Sequence, residues 1–447
     1  MIAHLQLAKK VIEGVYCKSM RILIRGVSVI RRPEEGVIPK ADVAIEGRRY
    51  AAVVEGGGIG GDFDRVIDGE GKLLIPGFVN AHTHLAMTLF RGFADDLPLM
   101  SWLEDRIWPA EGKLTAQDVY WFSLLGLGEM IRSGTTCFAD MYFFMEEVAA
   151  AVEEVGLRAL LSYGVIAPTP ARAESELKKA ERLIREWDGK AEGRIRGALS
   201  PHAPYTCGPE VWKEAAALAK ELRVPIHTHL AETKEEVEDF EARHGKSPIL
   251  WLEELGVFSV PVIAAHCVHL SEKDIEILAA HSANAVHCPS SNAKLACGIA
   301  PVVELLSSGV NVALGTDGAG SAGDLDMVEE MRLAAFLAKL KTGDPEALPA
   351  PEALAVATLR GAQALGQGKE LGTIEEGRRA DGVLVSLEGV HLCPGHSPLS
   401  DLVYAGHAAD VVGVFVDGRP LLLDGELLTL DEEAVKAKCR ELARRFR

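Results

Sequence analysis

PGFVNAHTH, residues 76–84, is an apolar run that ends in two histidines one residue apart. Side chains at i and i+2 of a strand point the same way. His82 and His84 can therefore reach one ion from the end of one strand. Taken alone, an H-x-H pair is more often two hydrogen-bonded polar residues than a metal site. Its weight here comes from the rest of the chain, along which apolar segments ending in polar residues recur.

Counting outward from this stretch gives eight such segments: GFVNAH, TTCFAD, ALLSYGVI, IRGALSPH, PIHTHLAE, VIAAHCVHL, ANAVHCPS and VNVALGTDG. Between most of them lie stretches with apolar residues at helical spacing, such as 171–187, 209–222 and 326–340. Continuous apolar strands alternating with helices predict a parallel sheet covered on both faces. Eight units predict a closed (β/α)8 barrel of the TIM type, an α/β fold. All strand carboxyl ends of such a barrel share one face, and active sites sit there. Residues 21–75 and the chain beyond about 366 read instead as short strands and hairpins. Neither end can make a core alone, so the two are expected to pack together as one small β-sandwich. The expected division is 1–75 (with 1–19 an extension before the first strand), a catalytic barrel over 76–366, and 367–447 returning to the sandwich and closing with a helix.

The polar strand ends supply the rest of a metal site. PIHTHLAE offers His227 and His229 at strand spacing; His229 is nearer the strand end, and His227 reads as a buried, hydrogen-bonded histidine. Asp317 in ALGTDG provides a hard carboxylate suited to a divalent ion such as zinc, although a lone Asp-Gly usually marks a turn. Together with His266 and with Glu232, three residues beyond His229, these residues describe a mononuclear site with an acid/base carboxylate beside it. That arrangement activates water for hydrolysis.

Bulk properties exclude other classes. Against 47 basic residues stand 65 acidic ones, a net charge of −18, which argues against nucleic acid or an anionic membrane as partner. Eight cysteines without a C-x-x-C pair read as reduced thiols of a cytoplasmic protein. No apolar run approaches the roughly 20 residues needed to span a bilayer, and residues 1–20 lack the apolar core of a signal peptide.

H-x-H, H-L-A-E, A-H-C-V-H-L and G-T-D-G in this order resemble the amidohydrolase superfamily. LFRGFADDLPLMSWLEDRIWPAE (89–111), RSGTT (132–136), SPHAPYTC (200–207), SSNAKLACGIAPV (290–302) and TDGAGSAGDLDM (316–327) resemble its methylthioadenosine/S-adenosylhomocysteine deaminase group, to which the triazine hydrolases are related. The resemblance covers nearly the whole chain and implies one divalent ion, usually zinc, held by His82, His84, His229 and Asp317. No lysine ends IRGALSPH, where two-metal members carry a bridging one. The resemblance further implies that Asp317 takes the water proton, that His266 rather than His269 steadies the attacking oxygen, and that Glu232 protonates a ring nitrogen. Glu111 would accept from ribose hydroxyls and His202 would bond a purine nitrogen. Arg172 would meet the carboxylate of an amino-acid tail, unless it is simply a solvated helix arginine. Trp102 and Trp108 could stack on a purine or fill the core.

One departure stands out. Ala322 and Gly323 replace the asparagine pair common in the family after T-D-G-A-x-S, which puts the substrate in question. The activity implied is metal-dependent deamination of an adenosine derivative. The alternatives are removal of an amino or chloro group from guanine or a triazine, and a non-catalytic metal-binding scaffold. A purine nucleoside partner and a homo-oligomer are also implied.

Overall fold

The computed structural model describes residues 20–446, so the expected extension over residues 1–19 lies outside the described residues. Eight parallel strands form one sheet in chain order: β1 (Phe78–Thr83), β2 (Thr135–Tyr142), β3 (Arg158–Val165), β4 (Ile195–Pro201), β5 (Ile226–Leu230), β6 (Val262–His266), β7 (Asn284–His287) and β8 (Asn311–Leu314). Asn80 ties the first strand to the last: its Oδ1 accepts from Thr316 N–H at 3.0 Å and its Nδ2 donates to Thr316 Oγ1 at 2.8 Å. Just beyond, Asp317 N–H donates to the His82 carbonyl at 3.0 Å. Gly315 is obligatory at this seam, since a Cβ there would lie 2.8 Å from His82 N.

The period-two alternation of the strands divides two cores. Mostly small side chains, among them Ala81, Cys137, Ala139, Ala198 and Ala313, pack inside with Ala362 and Leu365, from and just beyond the helix Leu359–Ala364. Phe78, Phe138, Leu161 and Leu199 belong instead to the large cluster shared with the surrounding helices. Those helices begin where the sequence provides caps. Thr115 and Asp118 form a capping box at the start of Ala116–Arg132, and Asp326 accepts from Val328 N and Glu329 N at the start of Met327–Thr342.

The chain ends do pack together. Their strands hydrogen-bond into one nine-stranded mixed sheet with its own core, including Ile22, Val43, Tyr50, Leu74 and Phe415. Lys72–Pro76 joins the two ends, pairing in parallel with Arg21–Val29 and antiparallel with Gly382–Ser386. Arg158 at the start of β3 locks this sheet to the barrel. Buried, it reaches Asp381 at 3.1 Å and Asp417 at 2.8 Å. The final helix, Glu432–Leu442, is present, and no helix among the described residues is long and apolar enough to cross a membrane.

Candidate metal and active site

At the carboxyl ends of the strands the backbone leaves its regular path. Pairing of β1 with β2 shifts register between Asn80 and Thr83, where His82 lies, and such irregular steps re-aim side chains. Ala231, His266, Cys267 and Asp317 have φ of 52°, 73°, 49° and 62°. Non-glycine residues there cost on the order of 1–3 kcal/mol each, and such strain concentrates at functional sites.

These bends bring side chains from four strands to one point. His84 Nε2 lies 3.2 Å from His229 Nε2 and 3.2 Å from Asp317 Oδ1, and His82 Nε2 lies 3.4 Å from the same oxygen. Nitrogens of His82, His229 and His266 lie within 4.8 Å of one another, as do ligand atoms of His82, His84 and Asp317. The outer ring nitrogens are held from behind. Nδ1 of His84 donates to the Met141 carbonyl at 2.6 Å, that of His229 to the His202 carbonyl at 2.8 Å, and that of His266 to Asn292 Oδ1 at 2.9 Å. Each bond fixes the tautomer whose Nε2 lone pair faces the centre. His82 Nδ1 meets His227 Nε2 at 2.8 Å, so His227 is the buried, bonded histidine its position suggests. His82 Nε2 is buried with no hydrogen-bond partner among the described residues. An orphaned nitrogen facing imidazoles and a carboxylate fits a divalent cation.

The electrostatics agree. Burial pushes His82 down to about 4 and His229 well below its ordinary value, keeping both rings neutral as ligands must be. Asp317 faces the His82 and His84 rings through Oδ1. Its Oδ2 accepts from Ser291 Oγ at 2.7 Å and Ser321 Oγ at 2.8 Å. Glu232, fully buried, is pushed up by that burial. Its carboxylate stands 3.7 Å from His266 Nε2 and accepts a weak bond from the Cys297 thiol at 3.8 Å.

A cavity of about 670 Å³, measured out to its mouth, opens over this centre. Its walls include Glu111, His202, Tyr205, Trp102 and Trp108. Glu111 ends a helical segment that starts at Leu99 and widens into a π turn over Leu103–Ile107. Tyr142, the last residue of β2, donates to Glu111 Oε1 at 2.7 Å. Burial pushes the Glu111 carboxyl up to about 7 and His202 down to about 3. His269 turns away, its Nε2 donating to the Cys297 carbonyl at 2.6 Å. His287 is buried outside the cavity.

The structure thus brings together His82, His84, His229, Asp317, Glu232, His266, Glu111 and His202. Arg172 is not brought in. It is exposed on the helix Pro170–Trp187 and does not line the cavity. Sequence reasoning missed Tyr142, Ser291, Asn292 and Ser321, which hold the functional side chains. Ser291 and Asn292 lie in the SSNAKLACG stretch and Ser321 in TDGAGS, and that was their only signal.

A barrel carrying this site at its strand ends defines a class. The model described as the amidohydrolase family matches residues 73–421, and the chain belongs to that family. Among curated proteins it is 51% identical over 429 residues to a 5-methylthioadenosine/S-adenosylhomocysteine deaminase of Desulforudis audaxviator, covering 96% of this chain and 99% of that one. A protein of the same name from Syntrophomonas wolfei is 49% identical over 96% of this chain and 99% of its own. Among solved structures, an adenosine deaminase of Xanthomonas campestris with bound zinc superposes with a TM-score of 0.89 at 37% identity, covering 96% and 98% of the two chains. The zinc complex of an atrazine chlorohydrolase from Arthrobacter aurescens gives 0.87 at 26%, covering 94% and 100%.

Proposed function

We propose that the protein is a zinc-dependent deaminase of adenosine derivatives. Water replaces the exocyclic amine of the purine, giving the inosine analogue and ammonia. The observation that carries this reading is the meeting of Glu232, His266 and Asp317 around a buried, unsatisfied imidazole nitrogen. His82, His84, His229 and Asp317 would hold one ion. When bound, the ion supplies the Lewis acidity that lets water act as a nucleophile near neutral pH.

The chain's own residues do the remaining work. Asp317, oriented by two serine hydroxyls, accepts the proton of the attacking water. His266, fixed by Asn292, faces the incoming oxygen. Glu232, whose burial favours its protonated form, donates to a ring nitrogen and makes the neighbouring carbon electrophilic. His202 bonds a purine nitrogen, and Glu111, anchored by Tyr142, accepts from the ribose hydroxyls.

Relatives named as nucleoside deaminases at about half identity over the whole chain favour this reading over a triazine or guanine substrate. Retention of Glu232 and every ligand disfavours a non-catalytic scaffold. The cysteines described are all unpaired, which supports a reducing, cytoplasmic setting for what we take to be a homo-oligomer. The test is zinc-loaded protein assayed for ammonia release with adenosine, 5′-methylthioadenosine, S-adenosylhomocysteine, guanine and a triazine. Turnover of an adenosine derivative is expected; turnover of only guanine or the triazine would overturn the assignment.

A further inference from the structure

We infer that Glu236 is a positioning residue for the reaction: its carboxyl holds the peptide that aims Glu232 into the cavity. The inference rests on the deaminase reading, in which Glu232 donates to the substrate ring.

Glu232 is weakly held through its own side chain. Its carboxyl stands 3.7 Å from His266 Nε2 and takes only a long bond from the Cys297 thiol at 3.8 Å. Its aim therefore depends on the main chain. Beyond the end of β5 the backbone makes a left-handed turn at Ala231, with φ of 52°. A residue with a Cβ keeps that conformation only where its surroundings hold it. The peptide joining Ala231 to Glu232 is held at both ends. Its oxygen accepts from the N–H groups of Val268 and His269, each at 3.0 Å, just beyond β6. Its N–H donates to Glu236 Oε2 at 3.0 Å.

The helix Lys234–His244 sets Glu236 for this contact. Thr233 caps that helix, its Oγ1 accepting from Glu236 N–H at 3.1 Å. A glutamate at this third helical position can turn back towards the residues before the helix. Glu236 does so and reaches past the cap residue to Glu232. Glu235 and Glu238 of the same helix face solvent, whereas Glu236 Oε1 is buried with no hydrogen-bond partner among the described residues. An oxygen left so is unfavourable, and capping the helix requires neither its burial nor a bond beyond Thr233. Fixing the Ala231–Glu232 peptide accounts for the bond. Glu236 is not among the residues lining the cavity, so it acts through Glu232 and not on substrate.

The experiment compares zinc content, kcat and KM of wild type, Glu236→Met and Glu236→Gln, on whichever of adenosine and 5′-methylthioadenosine the wild type turns over faster. Met fills the space and offers the N–H no oxygen; Gln keeps an acceptor. Glu236→Met should lose about 10- to 100-fold in kcat, since a misplacement of about 1 Å can cost 10²-fold. Its zinc content and KM should stay at wild-type values. Glu236→Gln should restore kcat to within about threefold. In a Glu232→Gln background Glu236→Met should cost less than about twofold more, because a residue acting through Glu232 has nothing left to position. Should the Met protein fail to fold, Glu236→Asp, one methylene short of the N–H, decides in its place, with a loss of about tenfold expected. Wild-type kcat in the Met or Asp protein overturns the inference. So does an equal loss in both backgrounds, a Gln protein as slow as Met, or a loss carried by KM or zinc. All of these leave the deaminase reading intact. Silence of the zinc-loaded wild type on both nucleosides sinks that reading and this inference with it.

Discussion

Tyr142→Phe removes one hydroxyl and leaves the ring that packs at the end of β2. That hydroxyl donates to Glu111 Oε1 at 2.7 Å, with both groups buried. A hydrogen bond to a charged group contributes roughly 1.5–3 kcal/mol, and about 1.4 kcal/mol is tenfold. If Glu111 accepts from ribose hydroxyls as a carboxylate, kcat/KM for 5′-methylthioadenosine should fall roughly 10- to 150-fold. The pH profile should move as well. Burial already lifts the Glu111 carboxyl to about 7, and the Tyr142 bond opposes that lift. Without the bond the carboxyl holds its proton to still higher pH. The acidic limb should therefore shift alkaline, and the loss should shrink as pH rises above neutral. The assay is the ultraviolet change of deamination, run in parallel on 2′,3′-dideoxyadenosine, which has no hydroxyl pair for Glu111 to hold. The variant should cost little on that substrate. An equal loss on both substrates, with an unmoved acidic limb, would mean that Tyr142 only supports the strand end.

Glu232→Gln should bind zinc as the wild type does and lose about 10²–10⁴-fold in kcat, the range of a general acid–base group; metal analysis beside the kinetics checks both halves. Arg158→Ala leaves Asp381 buried without its cation and Asp417 with Arg379 alone. Breaking such a pair costs about 3–5 kcal/mol, so the thermal midpoint should drop well below that of the wild type. Asp326, pushed by burial up to about 6, holds its proton more tightly folded than unfolded. Its contribution is therefore most favourable below the ordinary value of 3.8 and is lost as pH rises through about 6. Asp326→Asn keeps a helix cap, so its stability relative to wild type should improve between pH 4 and 7. A constant difference in melting temperature across that range would count against this.

The sequence exposes the barrel because its strands are apolar on both faces and end in side chains that burial alone would not choose. His82, His84, His229 and Asp317 are visible for that reason. The union of the chain ends is also legible, since neither could bury its own strands. What it conceals depends on closure in space. Nothing local says that Lys72–Pro76 will stitch the two ends into one sheet. Nothing local pairs Tyr142 with Glu111 across 31 positions, or aims Ser291 and Ser321 at one oxygen of Asp317. Those partners are fixed by how loops fold over the strand ends. Arg172 illustrates the converse: a charge that alignment to a family places at the substrate is, in the fold, on an exposed helix outside the cavity lining.

The central claim is that one ion among these side chains makes the protein a nucleoside deaminase. Zinc titrated into metal-free protein, with initial ammonia release from 5′-methylthioadenosine recorded at each step, tests it directly. Turnover should be absent without metal and should rise linearly to a break at one ion per subunit. Full activity in the metal-free protein, or none at saturating zinc, would contradict it.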